Sequence, residues 1–281
     1  MIKLVLTDMD GTVVPFGARS VSKRTIAAAH ALMDANIFFG PASGREPEDL
    51  AAYFHHDASC YATGVFANGK IVRVSGKTVF KKPVDQDLIA RLLDLLVPLR
   101  DCFLLFYVHD AQGALSFGVL GASRQDIDDV MAETPINATP VILEDIPTAP
   151  CFTVDVIYGN ALGNKDAAAR RLKQVVPQFD YVAPGPHIFD VLPHGWSKAE
   201  ATKILLDHIG IRSDEVAFFG DSDNDLTMLR RVPNSFTVAN GSPAALGCAR
   251  WKIGSASDNA PAQVMEAIVA AHGDLPPEFR R

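Results

Sequence analysis

The sequence lacks several features that would assign it to a specialised class of protein. Its 281 residues include 4 cysteines, which show no CxxC spacing and no paired framework. This spacing indicates free thiols in a reducing compartment and argues against a zinc site. No apolar stretch approaches the roughly 18 residues that a membrane span needs, and no signal-like segment leads the first strand. We therefore expect a cytoplasmic globular protein.

An excess of positive charge is also missing. The chain has 26 basic and 33 acidic residues, which gives a formal net charge of −7. This balance argues against nucleic-acid and membrane partners, so an anionic substrate would need locally arranged positive charge. The 48% hydrophobic content supplies a core for one large domain or two smaller ones. We expect a monomer or a weak dimer.

The first dozen residues organise the rest of the chain. Residues 2–7 (IKLVLT) are mostly β-branched or leucine, which is typical of a buried strand in a parallel sheet. The strand ends on Asp8 and Asp10, with a glycine and a threonine directly after them. Ligands bind at the carboxyl ends of parallel strands, so this position is a candidate site. By itself the motif also fits a turn in which aspartates bind their own backbone.

The following residues indicate a β-α-β unit. Ser22 is suited to cap a helix over residues 23–35, and a buried strand over 37–42 follows it. Its second strand ends in a Ser-Gly-Arg tripeptide. Acids and a proline then favour a helix over 46–54. A third strand is expected over 61–67, and Asn68 with its following glycine is typical of a hairpin turn after it.

Between residues 83 and 192 the pattern changes to short strands and helices at close spacing, which favours antiparallel pairing. The expected helices cover 85–96, 124–133 and 165–176, and the expected strands cover 103–109, 114–120, 151–158, 180–183 and 188–192. The doubly wound pattern then returns. The predicted fold is α/β, with a Rossmann-like parallel-sheet core domain (1–82 and 193–281) and an inserted α+β domain (83–192).

Four stretches with reactive side chains end strands or open helices in the predicted core. They are residues 8–12, residues 43–45, Lys198 and the acidic run 221–225. Each alone also fits a turn, a surface group or a helix cap. Together, converging carboxylates repel one another unless a hard, oxygen-liganded cation lies among them, and Mg²⁺ is the natural candidate. Hydroxyl and ammonium groups at the same strand ends suit phosphate oxygens, so the site predicts phosphoryl transfer.

These motifs resemble those of the haloacid dehalogenase (HAD) superfamily of phosphatases, specifically the Cof-type sugar-phosphatase branch (class IIB) with a C2B cap. Residues 8–12 (DMDGT) match its first motif, Ser43 its second, Lys198 its third and residues 220–225 (GDSDND) its fourth. Two departures occur: serine replaces the common threonine at position 43, and Ala199 replaces a common glycine. Neither departure removes a functional group.

The resemblance implies a role for each matching residue. Asp8 would be the nucleophile that forms an aspartyl-phosphate, and Asp10 the general acid and base. Mg²⁺ would be held by Asp8, Asp221 and the backbone carbonyl of Asp10, with Asp225 as a direct or supporting ligand. The residues implied to bind phosphate are Met9, Gly11, Thr12, Ser43, Gly44, Lys198 and Asn224.

The resemblance also implies that the inserted domain is a cap that selects a small phosphorylated sugar or polyol. Candidate substrate contacts are Arg45, Asn68, His109, Asp110, Tyr158, His187 and Asp190. For the histidines and the tyrosine, a structural role in the domain is the alternative.

Two other functions fit parts of the sequence. Residues 189–198 (FDVLPHGWSK) resemble a segment of α-phosphomannomutases from the same superfamily, which suggests a phosphohexomutase, although the compact form of residues 220–225 favours a phosphatase. A receiver-type phospho-acceptor domain also uses strand-end carboxylates, Mg²⁺, a hydroxyl and a lysine. Such domains are far shorter and carry the phosphorylated aspartate on a later strand.

Overall fold

The computed structural model describes residues 1–99, 101–109, 115–133 and 140–279. The chain forms two compact units: the first contains Met1–Lys81 and Ser197–Arg281, and the second contains Lys82–Trp196. Within the described ranges, no helix combines the length and the apolar character that a membrane crossing requires.

The N-terminal part of the first unit begins with a strand and a crossover helix. Its elements in chain order are β1 (Leu4–Thr7), α1 (Lys23–Asp34), β2 (Phe38–Pro41), α2 (Leu50–Tyr53), β3 (Gly64–Phe66), β4 (Ile71–Val74) and β5 (Lys77–Lys81).

The second unit follows directly. Its elements are α3 (Gln86–Leu96), β6 (Cys102–His109), β7 (Leu115–Leu120), α4 (Arg124–Glu133), β8 (Val141–Ile142), β9 (Val154–Tyr158), α5 (Lys165–Val175), β10 (Phe179–Gly185) and β11 (Ile188–Pro193).

The chain then returns to the first unit. The remaining elements are α6 (Lys198–Ile209), β12 (Val216–Gly220), α7 (Leu226–Arg231), β13 (Asn234–Thr237), α8 (Pro243–Cys248), β14 (Trp251–Lys252) and α9 (Ala260–Ala270).

A parallel sheet forms the centre of the first unit. In the described part of the chain its strand order is β14-β13-β12-β1-β2, and neighbouring strands pair in parallel. Strand β1 lies between β12 and β2, and Leu4, Val5 and Leu6 are fully buried. This arrangement confirms the predicted α/β fold with a doubly wound parallel core.

The helices beside this sheet begin and end at the residues that their sequence favours. The hydroxyl of Ser22 accepts a hydrogen bond from the backbone N–H of Thr25 at the start of α1. Ser197 caps α6 in the same way, and Gly210 ends that helix in the left-handed conformation (φ 68°). Lys198, the first residue of α6, is therefore held at a fixed point at the helix start.

Two local predictions for the first unit need correction. The helix expected over 46–54 is reduced to Leu50–Tyr53, because residues 46–50 form i→i+3 turns, in which Asp49 N–H donates to Glu46 and Leu50 N–H to Pro47. The strand expected over 61–67 is shorter and belongs to a separate antiparallel sheet of β3, β4 and β5. The hairpin at Asn68 is confirmed, with that residue in the left-handed region (φ 53°).

The second unit has an α+β architecture. Its sheet has the order β10-β11-β9-β6-β7-β8 in the described residues, and its pairs are antiparallel except for β7 with β8. Leu92 and Leu172, from α3 and α5, pack with Leu104 and Phe106 of β6 in one core. The alternate residues of β6, Phe103 and Leu105, belong to a smaller cluster, as the two-residue side-chain period of a strand requires.

Candidate active site

The carboxyl end of β1 brings the predicted motifs together. Thr7, the last residue of β1, pairs with Pro41 of β2 on one side and Phe219 of β12 on the other. Asp8, Ser43 and Asp221 follow these strands closely and therefore meet at one edge of the sheet. Asp8 is buried, and its backbone N–H donates to the carbonyl of Phe219 at 2.8 Å.

Lys198 links the nucleophile candidate to the acidic run. Its side chain is 1% exposed, and its Nζ donates to Asp8 Oδ1 at 2.6 Å and to Asp225 Oδ1 at 2.7 Å. Burial alone would lower the pKa of this ammonium group, but the charges of Asp225 and Asp8 outweigh burial and raise it. Lys198 is therefore a permanent cation inside the site, although its sequence context also suited a solvated surface lysine.

Asp225 binds the backbone that follows β12 and the side chain of Lys198. The residue is fully buried, and its Oδ2 accepts hydrogen bonds from the backbone N–H groups of Asp221 (2.9 Å) and Ser222 (3.2 Å). Because its Oδ1 is bound by Lys198, both oxygens already have partners. Of the two roles predicted for Asp225, orientation of its neighbours agrees with these contacts better than direct metal ligation.

Burial and nearby negative charge disfavour the ionised forms of the Asp8 and Asp221 carboxyl groups. Burial, aided by the charge of Asp225, raises the pKa of Asp8 well above its usual value, and Lys198 opposes this shift. Burial and then Asp225 raise the pKa of Asp221 to about 7, and the hydrogen bond that Thr12 Oγ1 donates to Asp221 Oδ1 (2.7 Å) opposes the shift. The ionised forms of both groups would be stabilised by a further cation.

The donor set suits a hard divalent cation. One carboxylate oxygen from each of Asp8, Asp221 and Asp225 lies within 4.8 Å of the others. Carboxylate oxygens are the ligands that Mg²⁺ prefers, and it is commonly held by one or two of them with water and substrate phosphate. Since Asp225 is engaged elsewhere, Asp8 and Asp221 are the residues that would hold the ion. The side chain of Asp10 does not belong to this group.

Asp10 is instead paired with Arg45. Its side chain is 50% exposed, and Arg45 donates to both of its oxygens, from Nε at 2.8 Å and from Nη2 at 3.0 Å. The guanidinium group is itself held by Asp49 at 2.6 Å and lies over the ring of Tyr53 at 4.4 Å. Arg45, predicted as a substrate contact, therefore orients the proposed acid–base carboxylate in this structure.

The other predicted phosphate-binding residues surround the same strand end. Ser43 is buried, its hydroxyl accepts the N–H of Arg45 at 3.1 Å, and its carbonyl accepts the N–H of Asn68 at 2.9 Å. Gly11 has φ +80°, and a Cβ there would lie 2.4 Å from Asp221 Oδ2, so a larger residue would displace that carboxylate. The carbonyl of Met9 accepts N–H groups from the following turn, and Gly44 joins Ser43 to Arg45.

Asn224 lies in the 3₁₀ turn Asp223–Asp225 that follows β12, and one side of its amide is already engaged. The hydroxyl of Ser222 donates to Asn224 Oδ1 at 2.7 Å. The NH₂ group of Asn224 is the end of the amide that is suited to a phosphate oxygen, because it can only donate.

Sequence reasoning missed Asn240. Its Nδ2 donates to the carbonyl of Gly11 at 2.7 Å, and its Oδ1 accepts the N–H of Ala256 at 2.9 Å. Two residues later, Ser242 N–H donates to the carbonyl of Asp221 at 2.8 Å. Asn240 follows β13, whose carboxyl end lies at the same sheet edge, so the strand-end rule that identified Asp8 could have identified Asn240 also.

The substrate candidates of the second unit lie in different surroundings. Tyr158 is part of the apolar core and stacks on Phe189 at 4.9 Å, and burial raises its pKa. His187 has φ 61°, and its Nδ1 is hydrogen-bonded to the carbonyl of Tyr158 at 3.0 Å. Asp190 is a buried residue of β11 that pairs in register with Asp155. His109 ends β6, and Asp110 lies outside the described residues.

Comparisons with known proteins identify the class. The family model of the haloacid dehalogenase-like hydrolases matches residues 5–265, so the chain belongs to this family and is a hydrolase. The predicted resemblance to the haloacid dehalogenase superfamily is confirmed.

Among curated proteins, the chain is similar to 5-amino-6-(5-phospho-D-ribitylamino)uracil phosphatase YbjI of Escherichia coli K12. The two are 23% identical, and the alignment covers 95% of this chain and 96% of YbjI. Among solved structures, it is similar to BT1666 of Bacteroides thetaiotaomicron, a phosphatase of the HAD superfamily (TM-score 0.78, 19% identity, 95% and 94% coverage). The HAD subclass IIB sugar phosphatase BT4131 has the same fold (TM-score 0.75, 17% identity, 94% and 98% coverage).

Proposed function

We propose that this hydrolase is a Mg²⁺-dependent, cytoplasmic phosphomonoesterase that cleaves a small phosphorylated metabolite through an aspartyl-phosphate at Asp8. The observation that carries the proposal is the pairing of buried Asp8 with Lys198 beside Asp221, while half-exposed Asp10 lies two residues further along the chain. A buried nucleophile beside a separate, solvent-accessible proton carrier is the arrangement that two-step phosphoryl transfer requires.

Asp8 attacks phosphorus in the first step. Lys198 binds Oδ1, so Oδ2 is the oxygen for attack, and the ammonium group opposes the rise that burial causes in the pKa of Asp8. When bound, Mg²⁺ supplies the further positive charge that reduces repulsion between this carboxylate and a phosphate dianion. The P–O bond to the leaving group breaks as the Asp8 Oδ2–P bond forms.

Asp10 moves the protons. It protonates the leaving oxygen in the first step, and in the second it removes a proton from the water that hydrolyses the aspartyl-phosphate at Asp8. Arg45 binds both carboxylate oxygens and so fixes the direction in which they point. We assign Arg45 a positioning role, because it contacts the proton carrier rather than the reacting phosphorus.

Three donor groups suit the phosphoryl oxygens. They are the hydroxyl of Ser43, the ammonium of Lys198 and the NH₂ group of Asn224, each held by contacts at the ends of β2, β12 or α6. Fixed donors of this kind stabilise charge as it shifts in the transition state without reorganising.

The proposed substrate is a sugar or polyol phosphate, and we assign the choice among leaving groups to the inserted unit. The proposal is supported by the relatives, which include a sugar phosphatase and a phosphatase of a phosphoribityl compound. The net charge of −7 supports a small metabolite rather than a nucleic acid as the partner.

A screen of phosphate release from sugar phosphates, with and without Mg²⁺, tests this function. We expect Mg²⁺-dependent release that falls by at least on the order of 10⁴-fold in Asp8→Asn. The matched control is Asp214→Asn, which removes a 58% exposed carboxylate that pairs with Arg212. That variant should retain full activity.

Three outcomes would contradict the proposal. Activity that survives Asp8→Asn would refute the nucleophile assignment. Isomerisation of mannose 1-phosphate without phosphate release would favour a mutase. Slow phosphorylation by acetyl phosphate, with no turnover of any sugar phosphate, would favour a receiver-type domain.

A further inference from the structure

A second group of metal-ligating side chains lies in the first unit and uses none of the strand-end motifs. It consists of His30 on α1 together with Asp57, Ser59 and Cys60 at the 3₁₀ turn Ala58–Tyr61, and we call it the His30 cluster. Donor atoms of His30, Asp57 and Cys60 all lie within 4.8 Å of one another. Three different ligand types thus converge where a helix meets a turn.

The carboxylate of this cluster is held in place by its own turn. Asp57 Oδ1 accepts the N–H of Ser59 at 3.1 Å and its hydroxyl at 2.6 Å, while Oδ2 is hydrogen-bonded to His30 Nε2 at 2.7 Å. The N–H of Cys60 donates to the carbonyl of Asp57 at 3.2 Å, which fixes the distance between the two ligand-bearing residues. The carboxylate and the backbone of Cys60 are therefore already ordered, so a bound ion would have little left to immobilise.

The exposure of the cluster gives an ion a path from solvent. The His30 side chain is 47% exposed and the Asp57 side chain 29%, whereas Cys60 is fully buried. Solvent therefore reaches the imidazole and the carboxylate of the cluster. The hydroxyl of Ser59, 3.4 Å from His30 Nε2, or a water molecule would complete four ligands.

We propose that His30, Asp57 and Cys60 bind Zn²⁺, or another divalent ion of similar softness, in a site separate from the proposed Mg²⁺ site. The donor atoms support this ion, because one nitrogen, one oxygen and one sulfur suit borderline-soft Zn²⁺ and do not suit Mg²⁺. Asp8 and Asp221 offer only oxygen. The two sites therefore differ in the ions they select.

The charge of Asp57 favours a cation at this position, whereas the Cys60 thiol must lose its proton to bind one. The hydrogen bonds from Ser59 lower the pKa of Asp57, so its carboxylate is ionised at neutral pH. Burial, aided by the charge of Asp57, raises the pKa of the Cys60 thiol to about 12, so the thiol keeps its proton while no ion is bound. Binding then forms an S–metal bond, breaks the S–H bond and releases that proton to solvent. The proton that His30 Nε2 donates to Asp57 moves to Nδ1 or to solvent, which frees the Nε2 lone pair for the ion. The ion would join α1 to the turn and stabilise their contact.

A zinc site at the His30 cluster differs from the expectation that the cysteine spacing gave. The ligands are spread over 31 residues, and only Asp57 and Cys60 are close in sequence, so a search for paired cysteines does not detect them.

Cobalt substitution tests the site in the full-length protein. After treatment with a chelator and desalting, titration with Co²⁺ should produce a near-ultraviolet sulfur-to-cobalt charge-transfer band that saturates at a single equivalent, and Zn²⁺ should abolish the band. Co²⁺ bound by Asp8 and Asp221 gives no such band, because those ligands contain no sulfur. The readout is thus independent of phosphatase activity and of the proposed function.

Three variants locate the ligands. The band should disappear in Cys60→Ser and persist in Cys248→Ser, which removes the free thiol of α8. Because Cys60 is buried, His30→Gln provides a surface substitution that should keep the fold, checked by circular dichroism, and weaken Co²⁺ binding by more than about tenfold. Absence of the band in the folded wild type, persistence of the band in Cys60→Ser, or unchanged affinity in His30→Gln would overturn the proposal.

Discussion

Parallel strands β1, β2 and β12 of the first unit all end at one edge of their sheet, and Asp8, Ser43 and Asp221 meet there although they are far apart in sequence. In the inserted unit most neighbouring strands are antiparallel, so successive strands end at opposite edges. There Tyr158 is buried in the core and His187 lies in the turn between β10 and β11. Parallel strands thus bring reactive side chains together at one edge of a sheet, whereas antiparallel strands place them at both edges.

The largest effect is expected on the kcat of a variant of Asp10, which follows one of the parallel strands. Asp10→Asn removes the proton carrier, and kcat should fall by about 10²–10⁴-fold. Asp49→Asn is the matched control: it removes the support of Arg45 but keeps the carboxylate that moves protons. Its kcat should fall less than roughly tenfold, a loss that corresponds to one weakened hydrogen bond. Equal losses in steady-state assays of both variants would show that Asp10 acts only through its pairing with Arg45.

The next largest effect is on the free energy of unfolding. It should differ between a buried lysine of the first unit and a partly exposed lysine of the second. Lys198→Met leaves Asp8 and Asp225 without their buried cation, so the free energy of unfolding should fall by about 3–5 kcal/mol. Lys173, which is 37% exposed and pairs with Asp180, is the control. Lys173→Met should cost no more than about 1 kcal/mol. Urea denaturation measures both, and equal costs would contradict the buried role of Lys198.

The pH dependence of Mg²⁺ binding gives a smaller effect. The raised pKa of Asp221, about 7 against an ordinary 3.8, means that the folded protein holds this proton more tightly than the unfolded chain. Without metal, stability contributed by this group therefore falls as pH rises from about 4 to about 7. Because Mg²⁺ needs the ionised carboxylate, its binding should be roughly 30-fold weaker near pH 5.5 than near pH 8.

Thermal denaturation with and without Mg²⁺ measures this dependence. The rise in Tm that Mg²⁺ produces should be larger at the higher pH, and Asp221→Asn should remove the rise at both. An Mg²⁺ effect on Tm that does not change with pH would contradict the assignment of Asp221 as a ligand.

The smallest expected effect concerns Asn240. Asn240→Ala breaks the link between the Gly11 carbonyl and the Ala256 N–H, and kcat should fall by roughly tenfold with little change in KM. Asn234→Ala is the matched control, since Asn234 also donates to two backbone carbonyls, those of Asp214 and Val216, but lies outside the strand-end loops. The free energy of unfolding of the Asn234→Ala variant should fall, while the kcat of the folded variant stays unchanged. Equal kcat values for the two variants would refute a positioning role.

The sequence predicted features that depend on local pattern. Ser22 caps the expected first helix because a hydroxyl before an amphipathic run satisfies free N–H groups, and Asp8 follows the expected buried strand. Strands β8 and β14 were not predicted, because two residues carry no detectable alternation. The short helix α2 differs from its prediction because tight turns at residues 46–50 replace the first helical turn.

Features that depend on tertiary contacts could not be predicted in the same way. The burial of Lys198 follows from its two carboxylate partners, which lie 190 and 27 residues away in the sequence. The pairing of Asp10 with Arg45, the link from Asn240 to Gly11 and the convergence of His30 with Cys60 arise in the same manner. Local sequence patterns do not reveal such contacts, because only the folded chain brings the partners together.

The most direct test of the central claim is the trapping of a phosphoenzyme. Wild-type protein turning over a sugar phosphate with Mg²⁺ is quenched in acid and reduced with borohydride, which converts an aspartyl-phosphate to homoserine. Mass spectrometry of the peptide that contains residues 4–12 should then locate homoserine at position 8, with Asp10 unmodified. Steady turnover with no modification at Asp8, or homoserine at another aspartate, would contradict the account.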